Sequence, residues 1–393
     1  MKDFIEETAA VKSNNPAFMV SLDNTGNVGE GRMNWEKVHL NSQKLFNPAD
    51  NSLNITKSGM YFLSMTATVV ETSRVSFQLD GTGRELGMTK LKSNNNLNTI
   101  TRDSLFFLTA LNKPYVQQAF DTANLTGGNN TLWTGFHYDS SSYFFGARDD
   151  EWMEKSSPIP LPIIMAMRGF RLENNMIKVS ESGLYFVSFG SGFNPADDTI
   201  VSFHINDNKE KYRSINTFYM GRHTTHHTKS FLTYLHAGDS VGLTLTDGTS
   251  YADADLQTYL AIFKLDTEKP YFCGSNSFDV DKSEFVRFHN IRLDSHNSWN
   301  NIEGKYVVPQ SGTYYVTANL PFESNKHELD IEIRVNGNLL STFYAGQSND
   351  YDPYLSSTSM LLSLSRNDFL QIKIQGSNAK AENQGVLSMI YID

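Results

Sequence analysis

The chain has 393 residues, a formal net charge of −10 and a pI near 5.5, and its one cysteine is Cys273. A negative protein repels phosphate, so nucleic acid is not an expected partner, and a lone cysteine excludes an intrachain disulfide. The 26 Phe, 18 Tyr and 4 Trp favour an all-β fold, because flat side chains pack well on a pleated sheet.

Residues 1–14 are interpreted as an N-terminal tail. They lack the positive-then-apolar order of a signal peptide, and no run in the chain approaches the ~20 apolar residues that cross a bilayer. We therefore expect no transmembrane segment. A cytosolic protein and a mature secreted chain both fit this pattern.

Five predicted elements follow one another in the first third of the chain. The Ser58-Gly59 pair predicts a turn in which glycine tolerates positive φ, and Asp80-Gly81 predicts a tight hairpin turn. In order, the elements are an aromatic strand at 17–22, a Ser-Gly turn and apolar strand at 58–64, a period-2 strand at 75–81, a hairpin at 104–116 and a closing strand at 133–138.

The same five elements recur twice in the same order and at similar spacing, which indicates repeated domains. The second set lies at 143–147, 182–188, 201–207, 230–241 and 258–265, and the third at 271–274, 311–317, 331–337, 359–370 and 386–392. In the third set Asn336-Gly337 predicts a tight hairpin turn, as Asp80-Gly81 does in the first. We predict three consecutive all-β domains, called here segment 1 (residues 15–140), segment 2 (141–268) and segment 3 (269–393).

This order of markers resembles the C1q-like globular-head domain, a relative of the tumour-necrosis-factor jelly roll. Segment 2 matches best, through GLYF at 183–186 and AGDSV at 237–241, although its closing strand lacks the family's glycine. Segment 1 keeps Gly135 before Phe136, and segment 3 keeps Gly385. The resemblance covers roughly residues 15–393 and depends on the ordered set of motifs.

The resemblance implies ten-stranded antiparallel jelly-roll sandwiches that assemble as a tight trimer with both termini at the base. The links between segments, at 139–142 and 266–270, reach at most ~15–20 Å, so successive segments must lie close together. We therefore predict an intramolecular pseudo-trimer that is a monomer in solution. Three independent domains on a string would be expected to have longer linkers rich in Gly, Ser and Pro.

Strand parity places the variable polar loops at the end of each sandwich away from the links, where binding residues commonly lie. The ligand-binding candidates in these loops are Asp121, His223, His226, His227, Asn349, Tyr351 and Tyr354. The His223–His227 run also contains good ligands for transition metals, but on a strand its end members stand ~13 Å apart. A metal site and a solvated polar loop both fit this run.

Asp247, Asp253 and Asp255 are candidate calcium ligands, because carboxylate and backbone oxygens are what calcium prefers. Some members of the resembled family bind calcium near this end of the domain. An ordinary acidic turn fits the same residues, and no other cofactor is expected.

No nucleophile elbow, zinc-protease motif or phosphate loop occurs, so we do not expect an enzyme. The resemblance to C1q-like defence and lectin proteins implies an extracellular, innate-immunity type of recognition protein that binds glycan, lipid or protein ligands. Three glycosylation sequons, at Asn54, Asn124 and Asn129, favour secretion weakly. The alternative is a structural, matrix or storage protein of an extracellular secretion.

Overall fold

A computed structural model of the chain shows an all-β protein built from antiparallel sheets. Its described residues contain no α-helix and one short 3-10 turn at Gly128–Asn130. The structure describes residues 15–393 except 24, 29–30, 70–72, 80–83, 92–97, 121–122, 149–151, 154–157, 194–198, 207–214, 218–224, 248–249, 252–257, 277–284, 325–328, 346–353, 376–378 and 382–384.

Segment 1 contributes one large sheet, one smaller sheet and a short ribbon. The large sheet has the order β2-β12-β7-β13-β1-β4 with β10 on the free side of β7, the smaller sheet has the order β3-β11-β8-β9, and β5 pairs with β6. The strands are β1 Ala17–Ser21, β2 Gly26–Val28, β3 Gly31–Arg32, β4 Lys37–Ser42, β5 Phe46–Asn47, β6 Ser52–Leu53, β7 Gly59–Val69, β8 Ser73–Leu79, β9 Arg84–Leu91, β10 Asn98–Leu108, β11 Pro114–Phe120, β12 Ala123–Leu125 and β13 Leu132–His137.

Segment 2 contributes two sheets, with orders β15-β24-β19-β25-β14-β16 and β17-β18-β23-β20-β21, and β22 pairs with β19. The strands are β14 Tyr143–Arg148, β15 Trp152–Met153, β16 Ile163–Arg168, β17 Phe170–Glu173, β18 Met176–Val179, β19 Gly183–Phe193, β20 Thr199–Ile205, β21 Ile215–Thr217, β22 Thr225–Leu235, β23 Ser240–Asp247, β24 Ser250–Tyr251 and β25 Thr258–Lys264.

Segment 3 contributes two sheets, with orders β27-β26-β36-β30-β33 and β28-β29-β34-β31-β32, and β35 pairs with β30. The strands are β26 Tyr271–Ser275, β27 Asn290–Asp294, β28 Trp299–Asn300, β29 Lys305–Val307, β30 Gly312–Ser324, β31 Leu329–Val335, β32 Asn338–Ala345, β33 Tyr354–Leu364, β34 Phe369–Gln375, β35 Ala379–Ala381 and β36 Val386–Tyr391.

The closing strand of each segment pairs with two strands that the sequence also predicted. It lies between the opening strand and the long Gly-x-Tyr strand, in the orders β1-β13-β7, β14-β25-β19 and β26-β36-β30. The opening and closing strands end within one residue of their predicted bounds. The strand of each predicted hairpin that begins at a serine is longer than predicted, because its polar N-terminal half also pairs with the Gly-x-Tyr strand.

Aromatic side chains fill the space between the two sheets of a segment. In segment 2, Phe203 of the smaller sheet packs 5.4 Å from Phe231 of the larger one. In segment 3, Phe272 stacks on Trp299 at 5.2 Å across the same kind of gap. Such rings bury large apolar areas, so the alternation of aromatic and polar residues produces two-layered sandwiches.

Gly59 has a positive φ of 159°, whereas Gly183 and Gly312 are required for a different reason from the one predicted. A Cβ added at Gly183 would lie 2.5 Å from Lys264 Cε, and one added at Gly312 would lie 2.3 Å from the Tyr391 ring. Neither glycine adopts positive φ. The prediction of positive φ is therefore wrong at both positions, because close approach of the closing strand is what excludes a side chain. The predicted Asn336-Gly337 turn is confirmed, since both residues have positive φ.

The two ends of the described chain meet. The backbone N–H of Asn15 donates to Asp393 Oδ2 at 3.0 Å, and its side-chain amide donates to the carbonyl of Ile392. The link regions also touch, because the N–H of Asp266 donates to the hydroxyl of Tyr138 at 3.0 Å. The start of segment 1 therefore lies beside the end of segment 3.

Candidate functional site

Six of the predicted site residues lie outside the described residues. They are the ligand-binding candidates Asp121, His223, Asn349 and Tyr351 and the calcium candidates Asp253 and Asp255. Their roles stay predictions.

The remaining candidates lie in strands, and the expectation of loops is wrong for them. His226 and His227 belong to β22, where they pair with Gly192 and Ser191, and the side chain of His227 is only 4% exposed. Tyr354 begins β33 and Asp247 ends β23. The strands extend this far because long neighbouring strands supply backbone partners for these polar residues.

No group of three or more His, Cys, Asp or Glu residues suited to a metal ion occurs in the described part of the chain. Cys273 is fully buried in β26, as expected of a packed small side chain. The predicted metal and calcium sites depend on residues beyond the described ranges.

Three aromatic rings from the three segments meet in the interior. Phe62, Phe186 and Tyr315 each stand three residues after the glycine that opens the Gly-x-Tyr strand. The ring of Phe62 lies 5.4 Å from Phe186 and 5.3 Å from Tyr315, and Phe186 lies 5.8 Å from Tyr315. Corresponding positions of the three segments therefore touch one another.

Closing-strand rings enlarge this set, which we call the aromatic cluster (Phe62, Phe136, Phe186, Phe263 and Tyr315). Phe136 lies 5.4 Å from Tyr315 and 6.4 Å from Phe263. All five side chains are at most 1% exposed. The cluster thus joins the larger sheets of the three segments through apolar surface.

A polar layer lies beside the aromatic cluster, centred on Asp103 of β10. Its carboxylate accepts hydrogen bonds from Ser64 at 2.5 Å in segment 1, from Ser188 at 2.7 Å and Ser230 at 3.0 Å in segment 2, and from Tyr315 at 3.3 Å in segment 3. Asp103 is 0% exposed. One carboxylate therefore binds hydroxyl groups from all three segments.

Burial raises the pKa of Asp103, and the hydrogen bonds from Ser64, Ser188, Ser230 and Tyr315 oppose that rise. The pKa of Tyr315 is also raised, by its own burial and by the nearby Asp103. With its carboxylate at 0% exposure, Asp103 offers no route for a substrate. This layer is accordingly an internal contact and not a catalytic centre.

Further polar contacts join the segments in pairs. Between segments 1 and 2, the Arg102 guanidinium lies 4.6 Å above the Tyr259 ring. Between segments 1 and 3, Thr101 Oγ1 donates to the carbonyl of Ser357 at 2.9 Å. The contact surfaces between segments are therefore partly apolar and partly hydrogen-bonded.

Sequence reasoning missed Asp103, because it lies just before the strand predicted to begin at Ser104. The sequence set Ser104 beside Ser230 and Ser359 as the first residue of each hairpin, whereas the strand register makes Asp103 the counterpart of these two serines. Each faces a residue five positions after the opening glycine, as Asp103 faces Ser64. An Asp at one of three otherwise hydroxyl positions marks the place.

Comparison with known proteins identifies one part of the chain. Residues 273–390 match the family model of the C1q domain. Segment 3 carries a C1q domain. No curated protein matches the chain.

Solved structures resemble the chain over about a third of its length. The globular domain of zebrafish complement 1qA protein is 14% identical, with a TM-score of 0.27 over 32% of this chain and 98% of that chain. Eiger TNF from S. frugiperda is 15% identical, with a TM-score of 0.26 over 32% and 91%. Murine APRIL is 15% identical, with a TM-score of 0.24 over 32% and 98%.

Within the described ranges, no helix has the length and apolar character needed to cross a membrane.

Proposed function

We propose that the protein is a non-catalytic extracellular recognition protein with three C1q-like jelly-roll domains at residues 15–140, 141–268 and 269–393, packed around a common axis as a pseudo-trimer. The C1q domain at 273–390 carries this proposal, since C1q domains belong to extracellular ligand-binding proteins. Ligands of the glycan, lipid or protein-surface class bind to the loops at the end opposite to the links.

The aromatic cluster supports the pseudo-trimer. Corresponding residues of three chain segments meet in one place when the segments are related by rotation about an axis through that place. The hydrogen bonds of Asn15 to the last two residues support a closed ring, because the entry of segment 1 lies beside the exit of segment 3.

The location of the loops is supported in segment 1. The N–H of Tyr138, next to the link, donates to the carbonyl of Met60 near the start of β7. The N–H of Thr126 donates to the carbonyl of Thr68 near the other end of the same strand. Residues 125–131 therefore lie at the end of the sheet away from the link. This end is where Asp121 was predicted to bind ligand.

A binding array tests recognition. The labelled full chain is applied to glycans, lipids and microbial surfaces, and saturable binding that unlabelled chain competes for is the expected result. Tyr351→Ala and Asn349→Ala should weaken binding at least tenfold, whereas the matched control Lys57→Ala, an exposed residue near the link, should not. Absence of binding to every surface of the array would refute the recognition function and favour the structural or storage alternative.

Light scattering tests the assembly. A pseudo-trimer satisfies its own contact surfaces within one chain, because short links hold the segments at an effective concentration near millimolar. The chain should therefore run as a monomer of 44.3 kDa. A particle of three times that mass, or a small-angle scattering profile with three separated lobes, would refute the arrangement.

A further inference from the structure

The Asp103 carboxylate breaks the internal symmetry of the polar layer. The three corresponding positions hold Asp103, Ser230 and Ser359, and they lie close together. Ser230 donates directly to Asp103, while the Ser359 hydroxyl lies 2.6 Å from that of Ser64, which itself donates to Asp103. An assembly of segments 1, 2 and 3 therefore brings one carboxylate and two serine hydroxyls to this place.

Two copies of segment 1 in the same ring would bring a second carboxylate to it. Buried carboxylates a few ångströms apart either repel each other or must take up an additional proton from neutral water, and both outcomes are costly. The hydroxyl partners contributed by Ser188 and Ser230 of segment 2 and Tyr315 of segment 3 would also be fewer.

We propose that Asp103 selects the partners of segment 1. The surface of segment 1 that carries Asp103 fits the hydroxyl-bearing surfaces of segments 2 and 3, and it rejects the same surface of another segment 1. The partner is thus defined chemically, as a surface that offers hydroxyl donors and no carboxylate. Buried polar groups in other assemblies set partner choice by the same kind of mismatch. The consequence is that every assembly of three segments contains one segment 1, including assemblies that form between chains.

This inference rests on the proposed packing of the segments and not on ligand binding. Its result also differs from that of the assembly test. A homotrimer of the wild-type chain would refute the packing itself, whereas a monomeric wild type that tolerates a second carboxylate would refute the role of Asp103 alone.

The test varies the number of buried carboxylates in the full chain. Ser230→Asp places a second carboxylate within hydrogen-bonding distance of Asp103, as a second segment 1 would, and we expect the melting temperature at pH 7.5 to fall by roughly 5–10 °C. Ser230→Asn is the matched control, since it has nearly the same size without the charge, and it should lose less than half as much.

The double variant Asp103→Ser with Ser230→Asp restores a single carboxylate. It should regain at least half of the melting temperature that Ser230→Asp loses. The proposal is wrong if Ser230→Asp melts within about 2 °C of wild type, because the polar layer then tolerates a second carboxylate. It is also wrong if the double variant melts no higher than Ser230→Asp.

Discussion

Removal of the Phe62 ring should destabilise the whole protein and not only segment 1. The ring has four aromatic neighbours, at 5.5 Å from Phe136, 5.4 Å from Phe186, 5.6 Å from Phe263 and 5.3 Å from Tyr315. A buried Phe→Ala change costs about 3–5 kcal/mol in total, and a ring with four aromatic neighbours belongs at the upper end of that range. We expect Phe62→Ala to cost about 4–5 kcal/mol.

Urea unfolding followed by fluorescence and circular dichroism measures this cost. Phe107→Ala is the control, because Phe107 lies on the neighbouring strand but is 53% exposed and should change the free energy of unfolding by less than about 1 kcal/mol. Phe46→Ala removes a ring that packs only on Phe18 and Trp133 among the described ring pairs, both in segment 1. A cost below about 1 kcal/mol for Phe62→Ala would show that the three segments do not share this cluster.

Three further outcomes are expected. Burial lowers the pKa of His137, whose side chain is 1% exposed, to about 4. The contribution of neutral His137 to the free energy of unfolding is therefore fully present above pH 6.5, the pKa in the unfolded chain, and is lost as the pH falls from 6.5 to 4. Melting curves should show this loss for wild type and a smaller one for His137→Gln, and equal slopes would contradict it. Gly135→Ala should cost about 1–3 kcal/mol, because its Cβ would lie 2.5 Å from Leu63 Cδ2 and 3.0 Å from the Phe62 carbonyl, whereas Gly242→Ala meets the movable Met176 sulfur and should cost less. Removal of divalent ions with a chelator should shift the melting temperature by no more than a few degrees, and a larger fall would place a structural calcium ion at Asp247, Asp253 and Asp255.

Much of the local structure was predictable because its cause is local. Short aromatic or apolar runs that recur in the same order predicted the opening and closing strands, and Asn336-Gly337 predicted a tight turn that the structure confirms. The role of Gly312 was not predictable in the same way, since the Tyr391 ring that excludes a side chain there comes from 79 positions further along the chain.

The loop location of the binding candidates that the structure describes was predicted less well than the strands. His227 was expected in an exposed loop but is buried in β22. Strand β22 extends this far because β19 pairs with it along its whole length, and the length of β19 cannot be deduced from the His-rich run. Loop length and polarity indicate where strands stop only when the neighbouring strand stops there too.

An all-β chain, the order of its strands along the sequence and a threefold recurrence of the same motifs follow from the amino-acid sequence, because side-chain alternation and turn residues act over a few positions. The packing of the segments, in contrast, is needed to see that Phe62, Phe186 and Tyr315 share one cluster and that Asp103 accepts hydrogen bonds from all three segments. The contacts between segments join residues separated by more than 80 positions, and no local pattern encodes which distant surfaces meet. Their formation depends on the packing of complete sheets, which brings together side chains that carry no signal of each other in the sequence.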